Sequence, residues 1–191
     1  CENYMFYSNL YKGVQLENLI LWGDKEFGTA AINLRASDSS LTNNAVINFD
    51  YGIQILSSSS NPTSSVLVSG NYLFDNGYYS LHLAGERADV GEKPFETLCS
   101  TKYLQGITVS DNYLENNYQG IAATCTKDSM FNNNIVKDSA IAGFRLETSA
   151  YNAVDNNLFH ENILSGMWLY GYSTGNVFDS NIVIDNNRGN Q

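Results

Sequence analysis

Five side chains in the second half of the chain carry the chemistries needed to hold a sugar and to act on it: His82, Arg145, Glu147, Trp168 and Tyr170. Aromatic faces can stack on sugar rings, and a guanidinium pairs with a carboxylate or sulfate through two hydrogen bonds. An imidazole or a carboxylate can transfer protons. These residues are far apart in sequence, so they can act together only if the fold brings them to one surface.

An internal repeat in the sequence predicts a fold that would bring these residues to one surface. Four segments share an Asn, an apolar strand and a second strand close to Gly-apolar-x-apolar, and they read NYLFDNGYYSLHL from Asn71, NYLENNYQGIAA from Asn112, NIVKDSAIAGFRL from Asn134 and NLFHENILSGMWL from Asn157. Looser copies begin at Asn18, Asn44 and Asn181. The Asn recurs every 22 to 27 residues, except for one interval of 41 residues after Asn71.

This period is that of one turn of a β-solenoid, in which each turn is too small to bury its own apolar face and stacking supplies the core. We therefore expect an all-β fold, a right-handed single-stranded parallel β-helix of about seven coils, with residues 1–191 as one domain. An amide side chain repeated at one turn can donate to and accept from its copies above and below. An internal ladder is expected from Asn18, Asn44, Asn71, Asn112, Asn134, Asn157 and Asn181.

The repeat resembles that of pectate lyases, alginate lyases and the NosD-like group of carbohydrate-binding proteins and sugar hydrolases. The resemblance covers nearly the whole chain and is carried by the cycles quoted above. It implies that substrate lies along the sheet formed by the Gly-apolar-x-apolar strands, between loops on either side. Because the same repeat also serves epimerases, tailspikes and adhesins, it implies the fold more strongly than any one function.

Alternation along these strands predicts which side chains point outward. The first outward column would contain Gln15, Asn33, Gln54, His82, Ala122, Arg145 and Trp168. The second would contain Glu17, Arg35, Leu56, Ala84, Thr124, Glu147 and Tyr170. The small side chains of Ala84 and Ala122 should leave a hollow beside the larger ones. An ordinary amphipathic outer surface is the alternative interpretation.

The expected catalytic residues are His82, Arg145 and Glu147, and the expected substrate-binding residues are Gln54, Arg35, Trp168 and Tyr170. A lyase would use His82 as the base and Arg145 to neutralise a uronate. A glycosidase needs a second carboxylate near Glu147, which would have to come from Glu86, Asp89 or Glu92. The paired aspartates and GHG run of polygalacturonases and the Asp-rich calcium signature of pectate lyases are absent, so the sequence leaves open whether the protein is an enzyme.

The long interval contains an insertion at residues 84–103 that is rich in charged residues. Loops of this length in a regular solenoid commonly carry function, and we expect a lid or groove wall. The insertion holds Cys99, which should lie near Cys125 at the edge of the next coil. A disulfide between them would indicate an oxidising compartment, and two buried thiols are the alternative.

Acidic residues recur near one turn, at Asp75, Glu115, Asp138, Glu161 and Asp185, and Asn follows at Asn76, Asn116, Asn162 and Asn186. Such a column requires screening by water, capping of backbone N–H groups or bridging cations such as Ca²⁺. No other cofactor is expected and no metal-ligand set is predicted, since the cysteines lack paired spacing. Two His and three Met residues are few for copper.

The formal net charge of −10, with only ten scattered Lys and Arg residues, argues against nucleic acid as a partner. No apolar run is long enough for membrane insertion. Neither end reads as a polar cap, so we expect part of a longer polypeptide, an end-to-end partner domain or an oligomer. Two functions stay open: an extracellular or cell-surface domain that binds polysaccharide, with or without lyase or glycoside hydrolase activity, and a non-catalytic stalk or adhesin segment of a cell-surface or phage-fibre protein.

Overall fold

A computed structural model describes residues 3–58, 60, 62–86, 99 and 103–190. Within these residues the chain forms 23 short strands, numbered along the sequence, and a 3₁₀ helix at Arg188–Asn190. Three strands make one coil, each on a different sheet, and the cycle repeats seven times with parallel pairing between coils. The prediction of a right-handed parallel β-helix with seven coils is confirmed.

Sheet A contains the first strand of each coil. Its strands are β1 (Asn3–Lys12), β4 (Thr29–Ser37), β7 (Tyr51–Leu56), β10 (Tyr79–Ala84), β14 (Ile121–Thr124), β18 (Ala142–Glu147) and β21 (Ser165–Tyr170). The last six are the Gly-apolar-x-apolar strands of the repeat or their looser copies.

Sheets B and C contain the second and third strands. Sheet B consists of β2 (Gln15–Glu17), β5 (Ser39–Thr42), β8 (Val66–Ser69), β12 (Thr108–Ser110), β16 (Met130–Asn132), β19 (Ala153–Asp155) and β22 (Val177–Asp179). Sheet C consists of β3 (Ile20–Trp22), β6 (Ala45–Ile47), β9 (Tyr72–Phe74), β13 (Tyr113–Glu115), β17 (Ile135–Lys137), β20 (Leu158–His160) and β23 (Ile182–Ile184). A short pair, β11 (Leu104–Gln105) and β15 (Thr126–Lys127), lies between sheets A and B.

Three-residue strands suffice because only the middle side chain must reach the core. In sheet C the middle residues Leu73, Leu114 and Val136 are fully buried, while their neighbours on both sides are only partly covered or exposed. Stacking at about 4.8 Å per coil brings equivalent apolar side chains into van der Waals contact. In the later coils the core also contains Phe144, which packs against Phe131 and Phe159 with ring centroids 5.1 and 5.7 Å apart.

An asparagine ladder runs between sheets B and C. The Asn112 side chain shows the pattern: its Nδ2 donates to Oδ1 of Asn134 and to the carbonyl of Val68, both at 2.9 Å. The Asn112 backbone N–H donates to the same Oδ1 at 3.1 Å. The members are Asn44, Asn71, Asn112, Asn134, Asn157 and Asn181. Each amide therefore satisfies backbone groups that would otherwise be buried without partners.

The expectation that Asn18 begins this ladder is wrong. Leu19 holds the equivalent position, and its backbone N–H donates to Oδ1 of Asn44 at 3.1 Å. Asn18 stands one residue earlier and has φ 56°, as Asn43 (54°) and Asn133 (57°) do before their ladder residues. The left-handed backbone conformation thus belongs to the residue before the ladder, where Asn, Asp and Gly are tolerated best.

A second amide ladder lies at the turn between sheets C and A. Asn76 donates to Asn117 at 3.1 Å, and Asn162 donates to Asn186 at 2.9 Å. Ser139 occupies the coil between these pairs and donates its backbone N–H to Asn162. The sequence-based alignment chose Asn116 for this series, which is wrong by one residue, because Asn117 makes the inter-coil bonds.

The glycine of the repeat lies beside this second ladder. A Cβ on Gly143 would stand 2.8 Å from both the amide nitrogen of Asn162 and the carbonyl oxygen of Gly166. The backbones of adjacent coils approach too closely here for any side chain. This contact explains why Gly precedes the apolar-x-apolar strand.

Replacing Asn134 by Ala should lower the free energy of unfolding by about 3 kcal/mol or more, because several buried backbone and amide groups lose their partners together. Urea unfolding followed by circular dichroism measures this change. The neighbouring Asn133→Gly is the control, since that exposed residue has a backbone conformation that Gly adopts freely, and its stability should change by less than about 0.5 kcal/mol. Equal effects of the two substitutions would contradict the ladder's role.

Candidate functional site

Strand register brings the expected site residues onto the outer face of sheet A. His82, Ala122, Arg145 and Trp168 are successive partners across β10, β14, β18 and β21. Glu147 pairs with Tyr170 in the neighbouring column. The two long outward columns therefore exist over coils 2 to 7.

The residues predicted for the two outward columns in the first coil are wrong. Gln15 and Glu17 lie in β2 of sheet B, and β1 supplies the first strand of sheet A instead. Tyr7 pairs with Asn33, and Asn9 pairs with Arg35. The segment around Leu16 matches the Gly-apolar-x-apolar pattern of the repeat. β1, which is the actual first strand of sheet A, lacks the glycine of that pattern.

Arg145 is the centre of the candidate site. Its guanidinium forms an ion pair with the carboxylate of Glu147, which is only 5% exposed, and donates to the hydroxyl of Tyr79 at 3.4 Å. The guanidinium carbon lies 5.6 Å from the ring centre of Trp168 and 6.0 Å from that of Tyr170, within the range of cation–π attraction. Trp168 and Tyr170 are 41% and 51% exposed in β21, the last strand of sheet A, where the inward-facing Leu169 is 54% exposed as well.

His82 lies on the other side of this cluster. Its ring stacks on Tyr79 with centroids 4.5 Å apart, and its Nδ1 is buried without a hydrogen-bond partner among the described residues. Burial, and secondarily the positive charge of Arg145, lowers the pKa of His82 to about 4. The imidazole is therefore neutral at physiological pH and can accept a proton, although as a weak base.

Tyr79 was missed by the sequence analysis, yet it joins His82 to Arg145. Burial raises the pKa of its phenol, which therefore stays protonated near neutral pH. Tyr78 packs edge-on against Tyr79, with ring centroids 4.4 Å apart, and stacks on Tyr118 at 6.1 Å. An aromatic cluster therefore extends across the N-terminal ends of β10 and β14. The Tyr78–Tyr79 pair at the start of β10 was the available signal.

The expected hollow beside Ala122 is not open. Ala122 is only 2% exposed, although its side chain points outward. Its neighbours in register are His82 and Arg145, whose side chains are much larger. Space is found instead beside Ala84, in a cavity of about 470 Å³ that Arg35 and Glu86 also line. Gln54 lies in the first column and accepts a hydrogen bond from the amide of Asn33 at 2.9 Å.

Residues 87–98 and 100–102 of the predicted insertion, with Asp89 and Glu92, lie outside the described residues, so the expected groove wall stays a prediction. Cys99 is described and is linked to Cys125 by a disulfide with Cα atoms 5.6 Å apart. Both cysteines are fully buried and pack with Ala150 and Tyr103. The linkage attaches residue 99 to the edge of coil 5.

The acidic column at the turn between sheets C and A needs one correction. Glu115 pairs with Phe74 in sheet C, so Asn116 stands beside Asp75 and donates to it at 3.1 Å. Basic side chains relieve the repulsion: Lys25 lies 2.6 Å from Asp75, and Lys137 lies 2.9 Å from Glu115. Arg188 lies 3.4 Å from Glu161 and 3.9 Å from Asp138. Calcium in this column stays a prediction.

One family model matches residues 2–191, nearly the whole chain, and its description is Periplasmic copper-binding protein (NosD). No curated protein and no solved structure matches the chain. Among the described residues, no helix is both long and apolar enough to cross a membrane.

The description implies copper, but the residues that the structure describes do not fit a copper site. Copper favours imidazole and sulfur donors. His82 and His160 lie on sheets A and C, while the Met residues are dispersed over β1, β16 and β21. Cys99 and Cys125 are bonded to each other. Within the described part of the chain, no group of three or more His, Cys, Asp or Glu side chains is arranged to hold a metal.

The partly buried, neutral His82 should make stability depend on pH. Its pKa is near 4 in the folded protein and near 6.5 when unfolded, so the unfolded chain binds the extra proton between these values. The free energy of unfolding should therefore fall as the pH is lowered from 6.5 to 4. Urea titrations of wild type and His82→Phe measure this, and the variant should show a shallower fall. Identical pH profiles would contradict the assignment.

Proposed function

The chain belongs to the NosD family of periplasmic proteins, and from that premise we propose that it binds polysaccharide outside the cytoplasm through the outer face of sheet A. The observation that carries the proposal is the pair of exposed rings, Trp168 and Tyr170, beside the fixed Arg145–Glu147 ion pair. Rings supply stacking for the apolar faces of sugars, and the ion pair supplies donors and acceptors for hydroxyl groups.

Binding is better supported than hydrolysis. A glycosidase needs two carboxyl groups about 5 to 9.5 Å apart. Glu147 is held by Arg145 and, among the described residues, is the only acid in the two outward columns over coils 2 to 7. Acid catalysis through Glu147 would also require breaking this ion pair.

Elimination is the reaction that the site would support if it cleaves its ligand. Neutral His82 can take the proton next to a uronate carboxylate once Arg145 turns from Glu147 to that carboxylate. The bond to the leaving sugar oxygen then breaks as a carbon–carbon double bond forms, and that oxygen takes a proton from solvent. His82 and Arg145 are two coils apart, about 10 Å by strand spacing, and Ala122 between them is covered, so the sugar would lie over their side chains. Release of unsaturated products at 235 nm is the signal for this reaction.

A structural stalk or adhesin segment is the second candidate function. The continuous asparagine ladder favours it, because stiffness along the stack needs no ligand site. Such a protein would bind no glycan and would yield neither unsaturated products nor new reducing ends.

Trp168→Ala should weaken binding of an oligosaccharide at least tenfold, because stacking of a sugar on the ring is lost. Isothermal titration with oligogalacturonides, alginate oligosaccharides and cello-oligosaccharides measures the affinity. Trp22→Ala is the matched control, since Trp22 is an exposed indole in sheet C and its removal should leave binding unchanged. Equal losses in both variants, or no binding by wild type to any of these glycans, would contradict the proposal.

A further inference from the structure

A cavity lies at the corner where the chain passes from sheet C of the first coil to sheet A of the second. Its volume is about 380 Å³, a size that suits a small molecule. The loop between β3 and β4 forms one side, and the start of β1 forms the other. Its lining includes Tyr4, Met5, Trp22, Asp24, Glu26 and Phe49. The described residues that line it stand outside the two outward columns of sheet A, so the cavity is separate from the candidate glycan site.

The loop between β3 and β4 is fixed against the coil beneath it. Gly23 donates its backbone N–H to the carbonyl of Ile47 at 2.9 Å. Lys25 donates its backbone N–H to the carbonyl of Asn48 at 2.8 Å. A Cβ on Gly23 would stand 2.7 Å from the ring of Phe49, so only Gly lets the loop lie against that ring. The wall of the cavity therefore has a defined shape before any ligand arrives, which lowers the cost of binding.

This loop places negative charge at the cavity. Among the described residues, no basic side chain forms an ion pair with the carboxylate of Asp24 or of Glu26. Lys25 stands between them in the sequence, but its ammonium lies 2.6 Å from Asp75, two coils further on. Asp24 is held by its own turn, since its Oδ1 accepts from the backbone N–H of Glu26 at 3.2 Å. A cation that enters the cavity would find two carboxylates without a counter-ion of their own.

Aromatic and thioether groups line the rest of the cavity. Trp22 and Met5 are 66% and 54% exposed, and Tyr4 stacks on Tyr7 with ring centroids 5.2 Å apart. Phe49 is only 3% exposed and closes the floor. The faces of aromatic rings attract cations, and the attraction is strongest for tryptophan. Rings beside carboxylates therefore suit a ligand that carries positive charge on an apolar body, as an alkylated ammonium group does.

Other classes of ligand fit this cavity less well. Calcium takes about six to eight oxygen ligands, whereas Asp24 and Glu26 are two side chains, and the part of the chain that the structure describes holds no metal-binding group of three or more. Uronates and phosphates would be repelled by both carboxylates, and so would a phospholipid head group, whose phosphate is close to its ammonium. A neutral apolar ligand would desolvate the carboxylates without compensation.

We propose that this cavity binds a free alkylated ammonium compound, with the positive charge held between Asp24, Glu26 and the ring of Trp22. The proposal does not depend on glycan binding by sheet A, because acidic and neutral sugars lack the charge that this cavity selects. The protein then has two separate sites for ligands of different chemistry.

Isothermal titration of the whole protein with choline tests the charge requirement. Its uncharged carbon isostere, 3,3-dimethyl-1-butanol, has the same shape and should bind at least tenfold more weakly than choline. Vesicles of pure phosphatidylcholine should not sediment the protein, since the site takes the free cation. Equal affinities for choline and its isostere, sedimentation with vesicles in place of binding to free choline, or no binding of choline would each overturn the proposal.

Variants test the location of the site. The double substitution Asp24→Asn with Glu26→Gln should weaken choline binding at least tenfold, because both carboxylates lose their charge at nearly constant shape. Trp22→Leu should weaken it severalfold through loss of cation–π attraction. Glu17→Gln is the matched control, since it removes the same charge from the first coil but on sheet B, and it should change the affinity by less than twofold. Equal losses in the double variant and in Glu17→Gln, or unchanged binding in the double variant, would show that the cavity is not the site.

Far-ultraviolet circular dichroism of each variant confirms that the fold is intact. The comparison of choline with its isostere needs no substitution, so it tests the proposal even if a variant fails to fold.

Discussion

Hydrogen bonding between successive coils is the constraint on which the whole molecule depends. Strands of three residues cannot exist alone, and the backbone groups at the turns between them are buried where water cannot reach. The asparagine side chains provide the hydrogen-bond partners that these groups need. One amide accepts hydrogen bonds from the coil before it and donates hydrogen bonds to two acceptors. Every coil therefore fixes the position of the next one, and stability accumulates from neighbour to neighbour.

This arrangement separates structure from function on each strand. The inward residue and the ladder residue are dictated by the coils above and below, whereas outward residues face no such demand. The ion pair of Arg145 with Glu147 costs desolvation of both charges and contributes little that the core needs. A fold made of near-identical coils has no reason to concentrate Tyr79, His82, Trp168 and Tyr170 around that pair, which is the physical argument for a ligand there.

The periodicity of the sequence was sufficient to predict the coils and, from coil 2 onward, the outward register of sheet A. Single-residue errors occurred where the pattern is degenerate: NN repeats gave Asn116 instead of Asn117, and Asn18 was aligned in place of Leu19. The hollow at Ala122 was mispredicted because alternation gives the direction of a side chain but not the reach of its neighbours. Tyr79 was missed for a similar reason, since its contact with Arg145 joins residues 66 positions apart.

The most direct test of ligand binding on the outer face of sheet A uses tryptophan fluorescence in Trp22→Phe, where Trp168 is the only remaining indole. Trp168 is partly exposed and lies against Arg145, so a sugar stacked on its ring must change its environment. Addition of oligosaccharide should shift and intensify the emission with a saturable dependence that matches the calorimetric affinity. Calorimetric binding without any change in Trp168 emission would show that sugar binds elsewhere and would contradict this site.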